Sequence, residues 1–554
     1  QHAKGKVYPI NDKSTPNVQE VELLNLTPLT PQRLTGRAGS VYAHVSGDPS
    51  YDEPQDVEVE QKAAPDENGD FLYEPSASQP AFNDSFAEVN VYYHLDRMDS
   101  WFREKQGVNL DYDLMVVVNF GPDQQAYDNA FYTPWKGIHK HAIFLGQGWN
   151  DDFSYDSDVF LHEFTHFVNS TAISLSNGPI DFDQYGLVIM PGAMEEGTAD
   201  YFSSTVNDDP IVGEAALGPY ARDPTEDVGQ CPGALFGESH EDGKLIGTMG
   251  WAIRTAIGAE LADALIWNTM AMLPNSSTFA DVAKGIKAGA AALKADGKID
   301  EQKEAKVIAA LTDRGLDKCP RFLDLQEKKG LTSYMMGLDF VGELMGGYPC
   351  NQLKKYLALS STFQFKFKPE PGATSVRFKV ELDDVMGGGT RNWGVYVSRD
   401  TPVLFGGGYN DPPKPEQFDH KKEGITTSSG ELVIDANSDP PFDPKWEYHV
   451  VIAHTNCAFT RATITPESSD EPIVIDAGVE AGADATIPPP KDAGIPKEAG
   501  VVDAAPPIPN ELVDDAEITG GACGCRTAGA PASKAPWLLA GLAALFAARR
   551  RPRG

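Results

Sequence analysis

The spacing of apolar residues changes period several times along the chain. Residues 1–80 carry short alternating runs among Pro, Gly and acidic residues, and Ser40-Val41-Tyr42-Ala43-His44-Val45 reads as a strand. From Asp84 the spacing becomes helical. Phe86, Val89, Tyr93, Met98 and Trp101 recur near every third or fourth place, which predicts an amphipathic helix over 84–105. Residues 114–120 are apolar but for Asn119 and are expected as a short buried strand. Helices are predicted over 157–170, 193–206, 243–272, 278–294 and 301–314. After about residue 355 alternation returns at 363–367, 376–380, 394–398 and 448–453. That pattern predicts a separate antiparallel β-sandwich ending near 457–464.

Residues 467–521 are dominated by Pro, Ala, Gly and Asp, and Asp-Ala-Gly recurs at 476–478 and 492–494. Too few apolar residues remain to build a core, so a spacer is expected. Beyond it Cys523-Gly524-Cys525-Arg526 precedes an apolar run over 535–548, followed by Arg549, Arg550, Arg551 and Arg553. The run is shorter than the ~20 residues of a spanning helix. This tail resembles a bacterial surface-sorting signal of the MYXO-CTERM type. The resemblance implies export and envelope attachment, with the Arg cluster held on the cytoplasmic side during processing. A plain membrane anchor would imply the same location. Gln1 opens the chain without a basic-plus-apolar leader, so the numbering is expected to start after a cleavage.

Composition narrows the partners. The 554 residues suggest two to four domains. Asp and Glu number 81 against 46 Lys and Arg, a formal net charge of −35. Nucleic acid is excluded as a partner, because phosphate binding needs clustered cations. The charge suits a soluble, self-repelling protein outside the cytoplasm, with a monomer favoured. The first four of the six cysteines are expected to pair, Cys231 with Cys319 and Cys350 with Cys457, a choice among connectivities that sequence leaves open. Buried thiols are the alternative.

His162-Glu163-Phe164-Thr165-His166 carries the chemistry. At ~100° per residue, two histidines four apart share one helix face and can reach one metal ion, with Glu163 beside them as a base. Asn169 and Ala172 stand where a metzincin would need Gly and His, so that branch is excluded. A third ligand can come from Glu196, in Gly192-Ala193-Met194-Glu195-Glu196-Gly197-Thr198-Ala199-Asp200. Two His and one Glu with an open fourth position make a hydrolytic zinc site.

Glu196-Gly197-Thr198-Ala199-Asp200 resembles the E-x-x-x-D segment of thermolysin-like gluzincins, especially fungalysins. Asn129-Ala130-Phe131-Tyr132 is similar to that family's edge-strand motif, and Leu145-Gly146-Gln147-Gly148 and Asp158-Val159 follow in the family's order. The resemblance covers about residues 84–260. It implies zinc on His162, His166 and Glu196, Glu163 as general base, and Asp200 orienting a ligand imidazole. Glu195 stands where the family has Asn and would steady His166. Asn129 and Ala130 would hold the substrate backbone as an added strand. His240, in Ser239-His240-Glu241-Asp242-Gly243, would stabilise the transition state, with Tyr185 and Arg222 as weaker substrate-binding candidates. Asp158 is read as a helix N-cap, and with Asn207 and Asp208 as the alternative calcium site.

The expected fold class is α+β: a β-rich N-terminal part over 1–83, a thermolysin-like two-lobed catalytic core over 84–345, a sandwich over 355–466, the spacer over 467–521 and a short hydrophobic anchor segment over 522–554. The expected function is a surface-anchored or secreted zinc endopeptidase acting on proteins or peptides. A catalytically silent surface binder on the same fold and a zinc aminopeptidase are the alternatives. A large inhibitory propeptide, common among fungalysins, is not recognisable in residues 1–80; either it preceded Gln1 or this branch lacks it.

Overall fold

A computed structural model describes residues 3–47, 57–109, 113–135, 139–173, 175, 181–339, 349–354, 358–386, 391–408, 411–471 and 523–524. The described chain is α+β. Apart from 467–471 and 523–524, the spacer and the C-terminal segment lie outside the described residues.

The N-terminal part contributes strands β1 (Ala3–Val7), β2 (Gln19–Leu23), β3 (Thr35–Gly36), β4 (Gly39–Ser46) and β5 (Glu58–Glu60). They are followed by helix α1 (Ser85–Trp101) and by β6 (Leu114–Phe120), β7 (Ala130–Pro134) and β8 (His141–Gly146). A mixed sheet runs β7-β8-β6-β4-β3, with β5 on β4 and a short strand β23 (Cys523–Gly524, numbered last in chain order) on the outer edge of β7. β4, β6 and β8 pair in parallel, whereas β7 turns antiparallel on β8.

Asp84 caps α1, its carboxylate accepting from the Phe86 N–H at 2.9 Å. The helix is not amphipathic as its spacing suggested. Glu88, Asn90, His94, Asp96 and Asp99 are buried with the apolar residues, because α1 packs against β1, β4, β6 and the next helix. The buried polar groups bond to distant segments instead of facing water: Glu88 accepts from the Lys62 and Ala63 N–H groups, and Asn90 bonds Tyr8 and Ser154.

Helix α2 (Ser157–Ala172) starts at Asp156, whose carboxylate accepts from the Asp158 N–H at 3.1 Å. The N-cap is therefore Asp156 and not Asp158, which lies inside the first turn. A hairpin of β9 (Asp181–Asp183) and β10 (Gly186–Val188) leads into α3 (Met190–Asn207). The predicted helix 243–272 is two helices, α4 (Ser239–Ile257) and α5 (Ala259–Met270), broken at Gly258, where φ is +90°. Helices α6 (Phe279–Ala295) and α7 (Glu301–Thr312) complete the helical part.

The sandwich begins earlier than expected. β11 (Phe322–Asp324) and β12 (Leu331–Met335) belong to its sheets, followed by β13 (Leu359–Ser360), β14 (Gln364–Phe367), β15 (Ser375–Met386) and β16 (Trp393–Arg399). Then come β17 (Leu404–Gly408), β18 (Asp411–Gln417), β19 (His420–Ile425), β20 (Ser429–Ile434), β21 (Tyr448–His454) and β22 (Phe459–Ser469). One sheet runs β11-β14-β21-β16-β19 with β13 on β21, and the other runs β12-β22-β15-β20. Every pairing is antiparallel except β11 on β14.

Both expected disulfides are present, Cys231–Cys319 and Cys350–Cys457, with Cα separations of 5.8 and 5.6 Å. The sandwich braces the helical part near the site. The Ser360 hydroxyl accepts from the Leu187 N–H at 2.8 Å, and Arg321 reaches Asp183 and the Leu187 carbonyl. The ring of Phe236 packs on Tyr334 and Phe459.

Candidate metal centre and active site

α2 and α3 lie side by side, and α4 crosses α3 closely. Gly197 and Gly243 make that crossing possible: a Cβ on Gly197 would sit 2.2 Å from the Gly243 carbonyl oxygen. The approach brings Glu196 of α3 to His162 and His166 of α2 and to His240 of α4.

His162 Nε2 and His166 Nε2 are 2.9 Å apart. Glu196 Oε2 lies 3.2 Å from the first and 3.7 Å from the second. Ligands of a tetrahedral zinc at 2.0–2.1 Å would be separated by about 3.3 Å, close to all three distances. Each side chain is at most 1% exposed. Both oxygens of Glu196 are buried and accept no hydrogen bond. Two imidazole nitrogens and a carboxylate converge on one point and form a cradle that a dication would satisfy. The donor set therefore fits Zn²⁺.

The outer nitrogens differ: that of His162 is hydrogen-bonded, whereas His166 Nδ1 is buried with no hydrogen-bond partner. His162 Nδ1 lies 2.8 Å from Asp200 Oδ1, which leaves its Nε2 lone pair facing inwards. His166 Nδ1 is 3.6 Å from Glu195 Oε1. Arg222 stands beside Asp200. It is nearly buried, and its Nε lies 3.0 Å from Asp200 Oδ1, so it braces the carboxylate that orients His162.

Electrostatics follow from this crowding of carboxylates. Burial alone would lower the pKa of His166, yet Glu196, Glu195 and Glu163 raise it well above the usual value. Burial opposes ionisation of Glu196, but His240 and His166 hold it well below the usual carboxylate range. Asp200 is likewise held down against burial by Arg222 and His162. The pocket is a site of negative potential that draws cations.

Glu163 is fully buried, and its Oε2 accepts from the Tyr132 N–H of β7 at 2.9 Å. The expected base is thus hydrogen-bonded to the edge strand that starts at Ala130, just after Asn129. Both Asn129 and Ala130 are buried.

His240 sits in the first turn of α4 with Nε2 3.4 Å from Glu196 Oε2. Its Nδ1 is 2.7 Å from Glu238 Oε1, and Glu238 also caps α4 by accepting from the Glu241 N–H at 2.9 Å. Burial depresses the His240 pKa, but Glu196 and Glu238 outweigh it and push it up to about 9. Sequence reasoning missed Glu238. The available signal was an acidic residue at a helix start, two positions before the assigned histidine. Asp242 fixes the same loop by accepting from the Phe236 and Gly237 N–H groups at 2.5 and 3.0 Å.

Other expected residues are not gathered here. Tyr185 turns toward the sandwich, edge-on to Phe322 at 5.3 Å, with its carbonyl accepting from Gln364. The calcium candidates Asp158, Asn207 and Asp208 have other partners. Asn207 presents its amide N–H to Asp158 Oδ1 at 2.6 Å, because its own oxygen takes Arg97, and the exposed Asp208 pairs with Arg254 at 2.6 Å.

No protein-family profile matches this chain, and no curated protein sequence does either.

Proposed function

We propose that this chain is a zinc-dependent endopeptidase of thermolysin-like type, exported and held at the cell envelope by its C-terminal segment. The observation that carries the reading is the buried convergence of His162, His166 and Glu196 with Glu163, whose carboxylate is bonded to the edge strand. His162, His166 and Glu196 would hold the ion. When bound, zinc polarises the scissile carbonyl and makes a water acidic enough to attack it at neutral pH.

The chain's own groups supply the rest. Glu163 takes the proton of the attacking water and hands it to the leaving amine. The outer edge of β7 aligns an extended substrate, which favours cleavage inside a chain. His240, cationic and oriented by Glu238, sits where negative charge would develop on the carbonyl oxygen. Asp200, Arg222 and Glu195 keep the imidazoles oriented. The two disulfides suit an oxidising compartment.

The test is metal analysis with cleavage-site mapping on a quenched peptide library. One equivalent of zinc is expected, with internal cuts that stop on chelation and return with zinc. Glu163→Gln should keep zinc and lose at least ~100-fold in kcat. Zinc uptake without any cleavage would make the chain a binder, and release of single N-terminal residues would make it an aminopeptidase.

A further inference from the structure

The substrate edge is not bare in this chain. β23 (Cys523–Gly524) lies antiparallel on the outer side of β7, Cys523 opposite Tyr132 and Gly524 opposite Phe131, and it passes against α2. Tyr132 is the residue whose N–H is given to Glu163. The chain's own C-terminal segment therefore occupies backbone positions that an extended peptide would need in order to lie beside the base.

We propose that the segment around Cys523–Gly524 is a tethered competitor for the β7 edge, so that the full-length chain is partly self-inhibited. The inference rests on the endopeptidase reading for its effect on turnover, but not for the pairing itself. A strand edge takes an extended chain through backbone bonds, and a sequence on the same polypeptide meets it without loss of translational freedom. Two paired residues bind weakly, so occupancy is partial and reversible, and a tighter substrate displaces the tail. Within the proposed envelope protein, processing or membrane capture of the tail would clear the edge and raise activity.

The experiment keeps the full chain and replaces both residues, Cys523→Pro together with Gly524→Pro, since proline cannot donate to a ladder and disrupts strand pairing. The first readout is hydrogen exchange at the amides of residues 130–133, which needs no catalysis. Exchange there is expected to be faster in the double variant, and unchanged exchange overturns the proposal. The second readout is peptide cleavage. KM should fall by about fivefold with kcat unchanged, the signature of removing a competitor. Equal KM values in the two proteins also overturn it. If exchange changes while neither protein cleaves any peptide, the tail contact stands and the endopeptidase reading fails, so the two ideas fail separately.

Discussion

His240 Nδ1 stands 2.7 Å from Glu238 Oε1, so the histidine facing Glu196 and the carboxylate that orients it belong to the same helix start. Glu238 performs two tasks at once, capping α4 through one oxygen and fixing the imidazole through the other. Glu238→Gln keeps the size but removes the charge. We expect kcat on a peptide to fall about 10–100-fold, with zinc content unchanged, because Glu238 touches none of the three side chains proposed to hold the metal. A variant with normal kcat would remove His240 from the mechanism or Glu238 from its support.

Asp200 is the next link outward, and Arg222 the link beyond it. Asp200→Ala should weaken zinc binding about 10–100-fold, measured by competition with a chromophoric chelator. Arg222→Ala should act in the same direction but less, since it loosens Asp200 without removing it. If Arg222→Ala raised KM and left zinc affinity alone, Arg222 would be a substrate contact after all.

Much of this site was legible because its chemistry is written in short spacings. The i and i+4 histidines and the Glu196 to Asp200 interval each lie within one helix, where geometry follows from 3.6 residues per turn. Relations between distant segments were harder. Nothing local announces that Phe322 pairs beside Gln364, or that Leu331 pairs with Ile464, so alternation alone places the start of the sandwich too late. The all-round burial of α1 was hidden for a related reason. Glu88 and His94 look like a polar face until the neighbouring backbone groups that satisfy them are placed. The calcium trio failed on orientation, because an Asn side chain can offer a donor as readily as an acceptor.

His94 links stability to pH. It is buried in α1, donates from Nε2 to the Tyr8 carbonyl at 3.0 Å and has no hydrogen-bond partner at Nδ1. Burial, followed by the nearby Arg97, lowers its pKa to about 3. An unfolded histidine titrates near ~6.5, so between these values the unfolded chain binds the extra proton. The stabilisation is complete above the unfolded value and is lost as pH falls through this window. This group alone costs about 2 kcal/mol between pH 7 and pH 5. Urea melts should show that loss in the natural chain, and His94→Gln, although less stable at pH 7, should lose correspondingly less on acidification. Parallel pH slopes for the two proteins would assign the acid sensitivity elsewhere.

The crossing of α3 and α4 offers a test of how the site is assembled, independent of any single ligand. On Gly197 a Cβ would lie 2.2 Å from a backbone oxygen and 2.6 Å from Ile246 Cβ, atoms that cannot swing aside. Gly197→Ala must therefore push α4 away, at a cost of about 1–3 kcal/mol, and carry His240 away from Glu196. Gly247 supplies the control on the same crossing, since its Cβ would meet the Gly197 carbonyl oxygen at 3.6 Å and Asp200 Cβ at 3.7 Å, ordinary contacts. Gly247→Ala should fold as well as the natural chain or gain up to ~1 kcal/mol from helix propensity. Gly197→Ala is expected to lower both the thermal midpoint and kcat, and Gly247→Ala to lower neither. Should both variants keep full activity, close contact between these helices is not what brings His240 to Glu196.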